Sequence, residues 1–349
     1  MQNSAQKPEQ DQSRKETPSG TSAAPQDIVA ADIGGTHARF AIARVENGTV
    51  TSLEDPFILR VADHDTLQDA WHAFGRQAGR PLPAHVAIAL ACPIQSEVLI
   101  MANNPWIVVP ADLPRDLNIE PPLFLNDFEA VAHAIASLDI TCLPHLCGPD
   151  RPLPADGTIV AIGPGTGLGT ASIIRRGSQT LVCGAEGGHT GFSPFNDFED
   201  RLLHRLRSVH GRVSAERIIS GPGIIPLCAQ LAQDTGEAWR DLGDKQLWTL
   251  ALEGHDRLTR EAMSLFCQAL GGFAGDMALA HCATGVVVAG GLGKRLMDIL
   301  PTSGFADRFI AKGRFEEMMR KIPVRMIHYP EPGLFGAASA LARKLAHTS

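Results

Sequence analysis

Two distant stretches of this chain repeat one pattern: an apolar run, a tight glycine turn and a second apolar run. The first is Ile28-Val29-Ala30-Ala31-Asp32-Ile33-Gly34-Gly35-Thr36, followed by Phe40-Ala41-Ile42-Ala43. The second is Thr158-Ile159-Val160-Ala161-Ile162-Gly163-Pro164-Gly165-Thr166-Gly167-Leu168-Gly169, continuing to Ile174. Ile28-Val29-Ala30 aligns with Ile159-Val160-Ala161, and Asn47-Gly48 and Gly177-Ser178 mark a further turn after each copy. Short apolar runs bounded by glycine read as buried strands folding back on themselves. Two such units in one chain predict duplicated halves facing each other across a cleft.

Each turn also carries chemistry. Paired glycines let the backbone come close to a ligand and turn N–H groups towards it, as a phosphate requires. Thr36 adds a hydroxyl donor. Asp32, at the strand end, sets a carboxylate beside those phosphates, where a metal ion or its water shell makes an acidic group welcome. A single Gly-Gly turn reads sooner as an ordinary hairpin; the second copy shifts the balance to the phosphate.

The chain has 349 residues, long for one core and comfortable for two, and 44% of them are hydrophobic. Its formal net charge of −7, with one Tyr and no basic run interleaved with aromatics, argues against nucleic acid as a partner. The seven cysteines are scattered, with no Cys-x-x-Cys pair, so neither a zinc ribbon nor a disulfide framework is indicated. No apolar run has the length of a membrane span and no signal-peptide core opens the chain. A soluble cytoplasmic protein with reduced thiols, bound to no membrane, is expected.

Residues 1–26, rich in Gln, Ser, Pro, Lys and Glu, read as a disordered tail. Three antiparallel strands are expected over residues 27–59, then a helix over 66–77 with Leu67, Ala70, Trp71 and Phe74 on one face. Val86-Ala87-Ile88-Ala89-Leu90 reads as a strand buried on both faces, with Val98-Leu99-Ile100 pairing beside it. Leu123-Phe124-Leu125 is a short strand, and Asn126-Asp127 opens a helix. Residues 144–157 read as a Pro/Gly-rich connector and candidate hinge. Residues 183–189 form a polar glycine loop and 197–209 an amphipathic helix. Ser214 is expected to cap a helix that Gly221-Pro222-Gly223 stops. Long helices fill 239–280, Val286-Val287-Val288-Ala289 is a buried strand, and Val324-Arg325-Met326-Ile327 is the last. In the closing helix, residues 334–345, Gly336 and Ser339 permit close packing.

An Asp opening a helix is ordinarily a cap. Asp127, however, follows a strand, where open α/β sheets place their ligands. There a carboxylate can act as general base, accepting the proton of an alcohol that attacks a γ-phosphoryl group, with Asn126 serving a neighbouring hydroxyl. Glu186 and His189 share one glycine loop, and Glu216 lies near a helix start. Singly these are a solvated carboxylate, a satisfied histidine and a first-turn glutamate favoured by the helix dipole. Together, two carboxylates and a donor suit a sugar with several vicinal hydroxyls, and they are too few for structural zinc. Gly290-Gly291 after a buried strand offers a flat backbone for an adenine or ribose. The glycine run from Gly163 fails as a dinucleotide fingerprint: its sixth position is Leu168 and it leads to a strand. Gly293-Lys294-Arg295 lacks the upstream glycine and the Ser/Thr of a P-loop.

With these residues in hand, the chain resembles the bacterial glucokinases of the ATP-dependent, non-ROK type, from Ile28 to the C-terminus. The likeness is carried by Ala31-Asp32-Ile33-Gly34-Gly35-Thr36, Ala91-Cys92-Pro93-Ile94, Asn126-Asp127-Phe128 and Gly165-Thr166-Gly167-Leu168-Gly169. Glu186-Gly187-Gly188-His189, Ser214-Ala215-Glu216-Arg217, Ser220-Gly221-Pro222-Gly223 and Ala289-Gly290-Gly291 complete it. The resemblance implies an α/β chain of two domains with the actin-like ATPase and sugar-kinase (ribonuclease H-like) fold, its duplicated β-hairpin phosphate loops flanking an interdomain cleft. It implies a small domain of residues 27–137 plus 329–349 and a large one of 138–328. It implies glucose on Asn126, Asp127, Glu186, His189 and Glu216, with Asp127 as base. ATP would lie on Ala31, Asp32, Ile33, Gly34, Gly35, Thr36, Gly165, Thr166, Gly167, Gly290 and Gly291, and Mg²⁺ on Asp32. A homodimer that closes on glucose is also implied. His37, where these enzymes often have Asn, and Asn104-Pro105, in place of a His-containing loop, depart from the pattern. Alternatives are a kinase for another hexose or one using polyphosphate, and a sugar-sensing regulator built on the kinase scaffold. The short tail and the absence of a cysteine cluster disfavour the regulator.

Overall fold

The computed structural model describes residues 24–239 and 241–348. Residues 1–23, most of the expected tail, lie outside them, while Gln26, the tail's last residue, already opens the first strand.

The first half is built on a six-stranded sheet. Its elements are β1 (Gln26–Ile33), β2 (His37–Glu46), β3 (Thr49–Leu53), β4 (Phe57–Arg60), α1 (Leu67–Ala78) and β5 (Val86–Leu90). There follow β6 (Leu99–Ile100), β7 (Ile107–Val108), α2 (Leu113–Leu117), β8 (Leu123–Asn126) and α3 (Asp127–Ser137). The order is β3-β2-β1-β5-β8, with β4 also on β2. β1 runs antiparallel to β2, while β5 and β8 are parallel to it. Strand alternation covers both faces: Val29, Ala31 and Ile33 pack towards α1, and Ile28 and Ala30 pack away from it. The 66–77 pattern is confirmed as α1, capped by the Thr66 hydroxyl, which accepts from the Asp69 amide at 3.1 Å.

The second half repeats the plan. β9 (His145–Cys147), β10 (Gly157–Pro164), β11 (Leu168–Arg176) and β12 (Gln179–Ala185) are followed by the helices α4 (Asp197–His210), α5 (Ile224–Thr235), α6 (Asp244–Glu253) and α7 (Arg257–Ala280). Then come β13 (Ala283–Val288), α8 (Gly290–Arg295), α9 (Phe305–Ile310), α10 (Glu316–Met319), β14 (Val324–Met326) and α11 (Pro332–Thr348). The sheet order is β12-β11-β10-β13-β14-β9. In each sheet an antiparallel three-strand meander is extended by two parallel strands, so the duplicated pattern in the sequence is a duplicated topology. One face of the second sheet is covered by α4 to α7 and α9 through Val160 and Ile162, and the other by α3 through Ile159 and Ala161.

Several expectations are corrected. β6 does not pair beside β5; it forms a two-stranded ribbon with β7, because β8 takes the edge of β5. β4 is a fourth strand where three were expected. The 144–157 connector contributes β9, which closes the edge of the second sheet on β14. β12 runs on to Ala185, so strand occupies the start of the glycine loop. After Ser214 there is only a 3₁₀ turn, Ala215–Arg217, without a side-chain cap from Ser214. α5 was missed.

α11 returns to the first sheet, packing Leu334, Ala337, Ala338 and Leu341 against Ile28, Ala30 and Ala87. It also lies on α3 at backbone contact: a Cβ on Gly336 would sit 1.7 Å from the Ala130 carbonyl oxygen. Replacing Gly336 by Ala therefore has to part the two helices. We expect a loss of roughly 1–3 kcal/mol, read as a lower urea midpoint, and a larger loss for Gly336→Leu.

Candidate active site

Strand register brings the predicted groups together. Ile33 pairs with Leu90, and Leu90 with Asn126. The carboxyl ends of β1, β5 and β8 thus lie side by side, with Asp32, Cys92 and Asn126-Asp127 in one row, as expected at the ligand edge of such sheets. Likewise Ile162 pairs with Val288, which sets Gly163-Pro164-Gly165 beside Ala289-Gly290-Gly291. Gly290 has φ +80°, and a Cβ there would lie 2.5 Å from the Pro164 carbonyl oxygen, so only glycine fits.

Asn126, not Asp127, is the cap of α3. Its Oδ1 accepts from the amides of Phe128 at 2.9 Å and Glu129 at 3.4 Å, and Glu129 Oε2 accepts from the Asn126 amide at 3.4 Å, completing a capping box. Asn126 Nδ2 donates to the Cys92 carbonyl at 3.4 Å. Asp127 is the first helical residue, and its Oδ1 accepts from the Phe128 amide at 2.8 Å. Burial raises its pKa; the Phe128 amide opposes this, and the charge of Glu186 adds to the rise.

Asp32 stands next in the row. Burial pushes its carboxyl up to about 6; Arg39, its cross-strand partner, pulls it down, while Asp127 and Glu331 push it further up. Arg39 Nε lies 3.1 Å from Glu331 Oε2. Asp127 thus lies within electrostatic reach of Asp32 on one side and of Glu186 on the other. Among the described residues no three His, Cys, Asp or Glu side chains gather as a metal cage. A half-buried carboxylate crowded by like charges suits instead a cation shared with phosphates.

Both glycine turns are braced from behind. The amides of Gly34 and Gly165 are spent inside the turns, on the His37 carbonyl at 3.0 Å and the Gly167 carbonyl at 2.8 Å. The amides of Gly35, Thr36, Thr166 and Gly167 are those left for a ligand. Asn104, 6% exposed, donates from Nδ2 to the Gly34 carbonyl at 2.9 Å and accepts from the Trp106 amide at 2.9 Å. The Gly165 carbonyl accepts from the Gly221 amide at 2.7 Å, and the Gly221 carbonyl from Trp248 Nε1 at 2.8 Å. Glu216 Oε2 accepts from the Leu168 amide at 2.9 Å, which ties that glutamate to the second turn.

Glu186 and His189 lie on a solvent-facing loop, their side chains 69% and 58% exposed, with His189 Nε2 at 3.8 Å from Glu186 Oε2. Thr170 holds this loop: its hydroxyl accepts from the Gly187 amide at 2.8 Å and donates to the Ala185 carbonyl at 2.9 Å. The Ala215 amide donates to the Thr190 carbonyl at 2.8 Å, joining the loop to the Glu216 turn. The predicted site residues thus fall on the two turns and the strands that lead into them, the row of strand ends, this linked pair of loops and, for Gly290 and Gly291, the start of α8 beside the second turn. The sequence marked Asn104 only as a departure from the family pattern, and it did not single out Thr170.

A family model described as Glucokinase matches residues 29–344. A glucokinase of Zymomonas mobilis subsp. mobilis is 52% identical over 318 residues, covering 91% of this chain and 98% of the relative. One of Caulobacter vibrioides is 38% identical over 314 residues, covering 89% and 93%. Among solved structures, a glucokinase from an Antarctic psychrotroph matches with a TM-score of 0.81 at 30% identity, covering 93% of this chain and 99% of that one. A glucokinase of Balamuthia mandrillaris, in complex with glucose, matches with a TM-score of 0.72 at 22% identity, covering 92% and 94%, which bears on the fold alone.

The raised Asp32 carboxyl makes a test of stability. Its proton is held more tightly in the folded chain than in the unfolded one, so its contribution is fully present below pH 3.8 and is lost as pH rises through about 6. We expect Asp32→Asn to be more stable than the parent at pH 7.5, by about 2–3 kcal/mol. The difference should vanish towards pH 4 when urea unfolding is compared at the two pH values.

Proposed function

The chain belongs to the glucokinase family, and from that premise we propose how its residues divide the work of the reaction. The reaction is transfer of the γ-phosphoryl group of ATP to the C6 hydroxyl of D-glucose, giving glucose 6-phosphate and ADP. The fold is that of the actin-like sugar kinases.

Asp127 is the general base. The C6 hydroxyl is a weak acid, and its proton has to leave as the oxygen attacks phosphorus. A desolvated carboxylate whose pKa is raised by burial and by Glu186 is a better acceptor than an exposed one. The Phe128 amide holds one oxygen of the base, leaving the other to face the hydroxyl. Glu186, His189 and Glu216 take the remaining sugar hydroxyls, with Asn126 beside them at the cap. The single observation that supports this division most is the row of strand ends, which sets Asp127 between Asp32 and the Glu186 loop.

The triphosphate lies between the two glycine turns, on the amides of Gly35, Thr36, Thr166 and Gly167, with Ala31 and Ile33 shaping the first turn. Gly290 and Gly291 receive the nucleoside; a Cβ on Gly291 would meet no atom within 4 Å, so this backbone is open. Asp32 would hold Mg²⁺ through its water shell, and the ion would neutralise phosphate charge there. Closure of two lobes, residues 27–137 plus 329–349 on 138–328, excludes the water that would otherwise compete as acceptor. We also propose a homodimer acting in the cytoplasm; no helix among the described residues is long and apolar enough to cross a membrane.

A coupled assay with glucose and ATP–Mg²⁺ tests the whole. Asp127→Asn should fold, bind glucose within a few-fold of the parent and lose roughly 10²–10⁴ in kcat; near-normal turnover would remove Asp127 from this role. Glu186→Gln should raise KM for glucose more than KM for ATP, and an equal or opposite effect would move Glu186 out of the sugar pocket.

A further inference from the structure

We propose that Phe128 is a positioning residue that sets the spacing between the base and the second phosphate turn. Three observations meet on this side chain and its amide. The first is the amide itself, which donates at once to Asn126 Oδ1 at 2.9 Å and Asp127 Oδ1 at 2.8 Å and so orients the base.

The second is the seat of the ring. Gly163 and Gly169 are cross-strand partners at the neck of the β10–β11 hairpin. A Cβ added to Gly163 would lie 2.1 Å from Phe128 Cε2, and one added to Gly169 would lie 2.5 Å from its Cγ and Cδ2. The ring therefore rests directly on the backbone of both strands, in a hollow made by two missing side chains. Close-packed aromatic on backbone is stiff, since neither surface has a rotamer to yield.

The third is where that hairpin leads. Two residues on from Gly163 and two before Gly169 are Gly165 and Gly167, the turn assigned to the phosphates. α3 itself packs on β10, β11 and β12 on one side and on α11 on the other. Among these contacts Phe128 is the one immediately beside Asp127. Its amide grips the group that takes the proton, and its ring seats against the hairpin that braces the group transferred. A shift of one is passed to the other through a single rigid side chain.

The inference rests on Asp127 as base, and its test is separate from that of the base. Phe128→Leu keeps the amide and shortens the ring's reach. It should lower kcat by roughly 10–100-fold, since a misplacement of about 1 Å is enough for such a loss. Glucose affinity by calorimetry and KM for ATP should stay within about three-fold, because the role proposed for the ring is contact with the hairpin and not with either ligand. Gly163→Ala should lower kcat from the other side, by pushing the ring off its seat. In Phe128→Leu with Gly163→Ala the leucine lacks the Cε2 and Cζ that a Cβ at 163 would meet at 2.1 and 2.7 Å, so kcat should recover at least about ten-fold over the worse single variant, a coupling expected only of groups in contact. Rates are taken per folded molecule, from the fraction folded at assay temperature. If Phe128→Leu does not fold, Phe128→Ile, which likewise has no atoms at Cε2 and Cζ, enters the same cycle. Unchanged kcat in the singles, losses that multiply in the pair, or KM rising in step with falling kcat would each overturn the proposal. Loss of turnover in Asp127→Asn together with any of these would leave the base in place and remove Phe128 alone.

Discussion

The site depends on how α3 is gripped. One face meets the second sheet through Ile135, Ala132 and the Phe128 ring, and the other meets α11 at the Ala130 carbonyl. Both contacts reach backbone, at Gly163 and Gly169 on one side and Gly336 on the other, so the helix has almost no room to slide. Its first turn is fixed again by the Asn126 capping box. The base proposed at Asp127 needs such a mount, and here the mount is made mostly of missing side chains.

Against that rigidity stands an electrostatic tension. Asp32, Asp127 and Glu186 crowd negative charge into one row, and Arg39 is the cation acting directly on Asp32. Arg39 is itself shared with Glu331, at the head of the segment that leads into α11. Folding alone gives no reason to gather these carboxylates, since their repulsion and desolvation oppose it. The cation and polyhydroxylated substrate proposed for this site would supply the missing partners. Functional sites are where such strain is tolerated, because the surrounding structure over-determines it.

Much of this was legible in the sequence, for local reasons. The two hairpins announced themselves by apolar runs around glycine, and β5, β13 and β14 by uninterrupted burial. The strand-end position of Asp127 was readable because β8 is short and its helix begins at once. What escaped depends on tertiary partners. β6 was expected on β5, but nothing in Leu99-Ile100 tells that β8 will claim that edge. β9 is three residues of a proline-rich connector that become strand only because β14 offers an edge. α5 starts with Ile224-Ile225-Pro226, and a proline in the first helical turn breaks no hydrogen bond. A cap at Asp127 was weighed in the sequence and set aside for a general base; the backbone gives the cap to Asn126, extended at ψ 149°, which leaves Asp127 out of that duty. Asn104 and Thr170 act on loops distant in sequence, and neither stands in a pattern of its own.

The packing of α11 has a consequence for the order in which the protein is made. The face of the first sheet that carries Ile28, Ala30 and Ala87 is covered by Leu334, Ala338 and Leu341. A ribosome that has finished β5 must therefore add some 250 further residues before that face has its cover, roughly 12 to 50 s of translation. Over that interval an apolar sheet surface waits in a crowded medium, with the second half folding downstream of it. The last helix to emerge is thus the one that seals the first sheet.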